Sequence, residues 1–167
     1  MRPAFLAIVA GIGLAVATPA FAAPREADFP KEVQAVIAEA RKECRDADGK
    51  GLILKSGVVA RLDLNGDGRP DTKIDLGQVE CRGAPSLYCG TGGCGLTLMI
   101  AQPDGALKTI FQGYVRGYTI GRNSSSKPGP RTVRFDLHGS TCGRAGAETC
   151  VKTQAITGEP FDFKEKN

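Results

Sequence analysis

Six cysteines constrain this chain more than any other feature: Cys44, Cys81, Cys89, Cys94, Cys142 and Cys150. An even number favours disulfides if the chain matures in an oxidising compartment, and metal or redox duty if it stays in a reducing one. The amino-terminal stretch decides between them. "MRPAFLAIVAGIGLAVATPAFAAP" begins with a basic residue, Arg2, runs apolar from Phe5 to Ala17, and reaches a small-x-small site at Ala20–Ala22. That order predicts a secretory signal peptide over 1–22 and a single β-rich, disulfide-containing domain over 23–167. A membrane anchor would need about 20 apolar residues, and this run stops short at Thr18-Pro19. No cysteine directly follows the cut to carry lipid. The expected home is the periplasm or the medium, with no membrane span in the mature form.

Six cysteines allow fifteen pairings. Loop length favours Cys89–Cys94 across "CGTGGC" and Cys142–Cys150 across "CGRAGAETC", both glycine-rich enough to close. Cys44–Cys81 remains. On the chain-entropy account the short loops contribute at most about 2–3 kcal/mol each and the long one about 4. Zinc is the rival reading, but Cys-x4-Cys and Cys-x7-Cys match structural zinc spacing poorly, and export argues against it.

The domain's segments are mostly of one kind. "DFPKEVQAVIAEARKEC" is the exception, placing Phe29, Val33, Val36, Ile37, Ala40 and Cys44 on one helical stripe. Pro30 suits its first turn, with Asp28 or Phe29 as the cap, and Asp48-Gly49 breaks it. After Lys50 the pattern alternates with period two. Strands are expected over 57–64, 71–76, 95–101, 106–111, 114–120, 131–137 and 151–156, with a hairpin turn at Pro103-Asp104-Gly105. "GRNSSSKPGP" (121–130) reads as a surface loop. No helices intervene to support parallel crossovers. The predicted fold is therefore mainly β, of α+β type: a small antiparallel sheet or sandwich with one N-terminal helix, stapled by disulfides.

Between the first two strands lies "RLDLNGDGRPDTKIDL" (61–76), which crowds Asp63, Asn65, Asp67 and Asp71 into nine positions. Side chains two apart in a tight loop can converge on one centre, Gly68 allows the sharp turn, and Arg69 can add a backbone carbonyl. Oxygen-only ligands, three of them ionised, suit a hard divalent cation, and calcium is the expected cofactor. A plain Asn-Gly or Asp-Gly turn is the competing account. It leaves the carboxylates repelling one another, offset only by Arg61, Arg69 and Lys73.

The D-x-N-x-D-G-x-x-D pattern resembles the calcium loops of the EF-hand type, as found in dockerins and in FG-GAP and VCBS β-repeats. It departs from the full EF-hand at Ile74, where that family has a glutamate, and in being flanked by strands. The resemblance implies a metal-clamped hairpin, and with a single copy it implies no propeller. In layout the chain also looks like small bacterial secreted proteins that join such a loop to cysteine–glycine segments, a likeness that carries no activity.

Chemistry is harder to find. His138, the lone histidine, has Asp136, Ser140 and Thr141 nearby, but residues two apart on one strand cannot form a nucleophile–base–orienter chain by themselves. "GTGGCG" lacks the lysine of a phosphate cradle. Asn123-Ser124-Ser125 is formally a glycosylation sequon and marks an exposed loop. Without the signal peptide the charge is +3, scattered rather than patched, which points away from nucleic acid. The expectation is a non-catalytic exported module that binds a protein, glycan or envelope component. Its alternative is a small periplasmic enzyme or inhibitor working through loops 121–130 and 139–150.

Overall fold

The structure, a computed structural model, describes residues 25–121, 129–161 and 163. The expected signal peptide over 1–22, the sequon and most of loop 121–130 lie outside the described residues.

Helix α1 (Lys31–Asp46) buries Val33, Ile37, Ala40 and Cys44 along the expected stripe, with Phe29 and Val36 partly covered at its edges. Its N-cap is Pro30 rather than Asp28 or Phe29, and no side chain caps it. Pro30 has no N–H to satisfy, and its carbonyl accepts the Gln34 N–H at 3.0 Å, while the Gln34 side-chain amide donates back to the Phe29 carbonyl at 2.7 Å. Ahead of the helix, the Arg41 guanidinium holds both carboxylate oxygens of Glu26, at 3.1 and 2.6 Å.

Among the described residues ten strands follow, three more than the alternation announces. They are β1 (Leu52–Leu54), β2 (Val59–Leu62), β3 (Asp71–Asp75), β4 (Val79–Cys81), β5 (Cys89–Gly90), β6 (Gly93–Ala101), β7 (Leu107–Val115), β8 (Gly117–Gly121), β9 (Thr132–His138) and β10 (Thr149–Ala155). The additions, β1, β4 and β5, are two or three residues long, too short to show a period. The expected strand 114–120 is cut at Arg116, which separates β7 from β8. Every pairing is antiparallel. One sheet runs β2-β3-β6-β5 with β7 on the other side of β6, a second runs β10-β9-β8, and β1 pairs with β4.

Strand β6 organises the interior because both of its faces are buried. Leu96, Leu98 and Ile100 face the second sheet, where they join Val133, Phe135 and Leu137. Met99 faces the other way, to a cluster with Ile74, Val58 and the helix stripe. The result is three layers: helix, five-stranded sheet, three-stranded sheet. Phe111 stacks on Phe135 with centroids 4.6 Å apart, and Phe161 and Phe163 set their edges against both rings. The Phe161 N–H donates to the Ile110 carbonyl at 3.0 Å, so the chain's tail lies along β7.

Three charged residues of β3, Asp71, Lys73 and Asp75, share the face turned toward the second sheet. Lys73 Nζ donates to the Tyr118 hydroxyl at 2.8 Å, and that hydroxyl donates to Asp75 Oδ2 at 2.6 Å. This polar seam joins β3 to β8 across the layers. Burial, and then the neighbouring Asp75 carboxylate, push the Tyr118 hydroxyl well above the usual tyrosine range.

The disulfides are Cys44–Cys81, Cys89–Cys94 and Cys142–Cys150. The first bolts the helix to β4 inside the helix-side core. The second closes the turn between β5 and β6. The third ties the short turn Gly139–Cys142 to β10.

Candidate functional site

Leu62 of β2 pairs with Asp71 of β3, so the acidic segment is the loop of a hairpin. Each of its carboxylates is turned onto backbone N–H groups. Asp63 accepts from Gly66 N–H at 2.7 Å and Gly68 N–H at 2.9 Å, one on each oxygen. Asp71 is fully buried. Its Oδ2 accepts from Leu64 N–H at 2.7 Å and Asn65 N–H at 3.3 Å, and its Oδ1 accepts from Ala101 N–H at 2.8 Å. Asp71 thereby holds both the loop and the end of β6.

Asn65 and Asp67 face each other. The Asn65 amide donates to Asp67 Oδ2 at 2.8 Å, while its oxygen accepts the Asp67 N–H at 3.1 Å. Arg69 completes the arrangement. Its backbone N–H donates to Asp67 Oδ1 at 2.8 Å, its Nη2 reaches Asp67 Oδ2 at 2.6 Å, and its Nε donates to the Ala101 carbonyl at 3.2 Å. The crowding of like charge is thus relieved within the loop by peptide dipoles and one guanidinium.

The electrostatics follow. Burial pushes the Asp71 carboxyl above its ordinary value, and the N–H groups of Ala101, Leu64 and Asn65 oppose that rise. Asp67, at the open side, is held below the ordinary range by the Arg69 N–H first and then by the Asn65 amide. Among the described residues, no three His, Cys, Asp or Glu side chains are gathered as a cation site would gather them.

Sequence reasoning missed the support beneath the loop. Arg131 Nε donates to the Asp63 carbonyl at 2.6 Å, and the Arg131 N–H donates to the Leu64 carbonyl at 2.8 Å. Gly66, at φ +82°, lies so close to Gly129 that a Cβ would sit 2.2 Å from its carbonyl carbon. A glycine facing a glycine across 63 residues leaves no periodic trace, and Arg131 reads as one more surface cation.

At the other end of β9, His138 Nδ1 lies 2.7 Å from Ser140 Oγ. Among the described residues no hydrogen bond joins the Asp136 carboxylate to this pair, and Asp136 Oδ1 is buried with no hydrogen-bond partner. The described residues therefore hold no nucleophile–base–orienter chain at His138. Among them, no helix is long and apolar enough to cross a membrane. No protein-family model, curated protein or solved structure matches this chain.

Proposed function

We propose that the chain is an exported, non-catalytic module whose β2–β3 loop takes calcium as a clamp on one hairpin, leaving the loops and sheet surfaces free to bind a protein, glycan or envelope component. The observation that carries this reading is the posture of Asp63 and Asp71. Both already turn their oxygens into the loop's backbone at its two ends. The reordering that binding needs is therefore confined to its middle, where Asn65, Asp67 and Arg69 would exchange their mutual hydrogen bonds for the ion. The donor set fits calcium in kind, since it is made of oxygens only and is largely anionic. Asp63 uses two of its roughly four lone-pair positions on backbone N–H groups. Asp67 would contribute once Arg69 turns away. Asn65 would contribute its amide oxygen, Arg69 its carbonyl, and Asp71 the lone pairs its N–H partners leave. Bound calcium would supply charge neutralisation and a fixed register.

The loop lacks the glutamate of a tight sensor site, which places affinity with extracellular modules, at a Kd of about 10⁻⁴ to 10⁻³ M. At ten times that Kd, binding stabilises the fold by about 1.4 kcal/mol. Scanning calorimetry on chelator-treated protein is the test. A rise in Tm on adding calcium is expected, absent with magnesium at equal concentration and absent in Asp63→Ala. A melting temperature indifferent to calcium would falsify the calcium clamp and leave a hairpin closed by its own hydrogen bonds.

A further inference from the structure

At the corner where β7 passes into β8, Arg116 spends its guanidinium on backbone carbonyls. Nε donates to Thr91 O at 3.1 Å, Nη1 to Ala147 O and Glu148 O at 3.3 and 3.1 Å, and Nη2 to Gly146 O at 2.5 Å. Thr91 lies inside the loop closed by Cys89–Cys94. Residues 146–148 lie inside the loop closed by Cys142–Cys150. One planar group with donors in a fixed fork therefore bridges two loops that the chain brings together from far apart. It can reach all four oxygens only while both loops are in place. The first loop is also seated on the backbone that carries the arginine: a Cβ on Gly93, at φ +98°, would lie 1.9 Å from Val115 O and 2.3 Å from Arg116 N.

The three disulfides differ in access. Cys44 and Cys81 are each 1% exposed, whereas Cys89 and Cys94 are both half-buried, and Cys142 is half-buried while its partner Cys150 is fully buried. Exchange needs a thiolate to reach one sulfur of the bridge, so an external reductant meets the Arg116 end first.

We propose that Arg116 couples Cys89–Cys94 and Cys142–Cys150 into a single reductant-sensitive latch. Breaking either bridge loosens its loop and withdraws carbonyls from the guanidinium. The other loop then loses its tether, and its bridge is exposed to attack. Cys44–Cys81 stays closed in the helix-side core. The reductant is a dithiol. One of its thiolates attacks a cystine sulfur, the S–S bond breaks, and a mixed disulfide forms. Its second thiolate then displaces that cysteine. The dithiol leaves as a disulfide, having given up two electrons, and the two cysteine sulfurs end as thiols carrying the two protons.

The test treats the mature, folded protein with limiting dithiothreitol, quenches with N-ethylmaleimide and counts labels by mass spectrometry. Molecules with no labels or four are expected, with the two-label species scarce. Removing one bridge as Cys142→Ser/Cys150→Ser is expected to speed reduction of Cys89–Cys94 about fivefold, the loss of roughly one hydrogen bond's net stabilisation. Adding Arg116→Ala to that variant then brings no further acceleration. Two-label molecules accumulating in the wild-type protein, with Cys89–Cys94 reduced at the same rate whether or not the other bridge exists, would overturn the latch. Both of those measurements stand even if Arg116→Ala does not fold, and an intact Cys44–Cys81 reports that a variant has folded.

Discussion

The two ends of β6 solve the same problem with opposite charges. At the Ala101 end, the carboxylates of Asp63 and Asp71 collect backbone N–H groups from the β2–β3 loop and from Ala101 itself. At the Gly93 end, the guanidinium of Arg116 collects carbonyl oxygens from two other loops. Irregular backbone leaves polar groups without ladder partners, and a buried orphan is costly. A single ionised side chain with several bonding positions can satisfy many of them. The difference lies in what stands behind each. The cationic end is closed covalently, twice. The anionic end has no covalent tie and depends on the burial of Asp71 and on Arg131 beneath the loop.

That asymmetry sets the order of expected effects. Asp71→Ala should be the most damaging change, because it leaves the N–H groups of Leu64, Asn65 and Ala101 without their acceptor. A loss of about 3–5 kcal/mol is expected, read as a lower urea midpoint. If the two ends are equally dependent on their charge, Arg116→Ala will match it. We expect less, about 2 kcal/mol, because the disulfides keep the loops near their folded places and water can reach the freed carbonyls. Gly66→Ala and Gly93→Ala sharpen the contrast from the backbone side. Both add a Cβ against a neighbouring main chain at positive φ, and about 2–4 kcal/mol is the expected cost at either end. Reducing the protein first should magnify only the Gly93 effect.

The smallest effect lies between the ends, at the polar seam. Tyr118→Phe removes the hydroxyl that links Lys73 to Asp75 and should cost about 1–2 kcal/mol. It should also change the alkaline limb of stability. The fold favours the protonated hydroxyl, so this contribution is complete below the unfolded tyrosine value of about 10 and drains away as pH rises beyond it. Wild-type protein should therefore lose stability more steeply above that pH than the phenylalanine variant. Parallel curves would mean that the hydroxyl ionises alike in the folded and unfolded chain.

Much of the fold was legible in the residues. The helix announced itself through Val33, Ile37, Ala40 and Cys44, and the major strands through alternation, because a periodic face is a local signal. The short disulfide loops were legible for the same reason, since few residues separate their cysteines. What escaped was non-local. Arg116 sits inside "YVRGYTI", which alternates well enough to pass for one strand. Only the distant carbonyls it serves, together with its own N–H given to Asp136 O at 2.7 Å, show why the strand breaks there. The crowding at Asp63–Asp71 could be seen, but the partners of those carboxylates could not. An ion, an arginine and the loop's own N–H groups call for the same letters.

Phe161 and Phe163 come from a tail with no pattern of its own, yet their rings close the stack on Phe111 and Phe135. That has a consequence in time. The aromatic pair completing the interface between the sheets comes from a segment beyond the last strand, β10, and until that segment docks the Phe111–Phe135 stack is open on one side. Final consolidation must therefore wait for a contact made across a long stretch of chain, which places the closing of the space between the sheets late in folding.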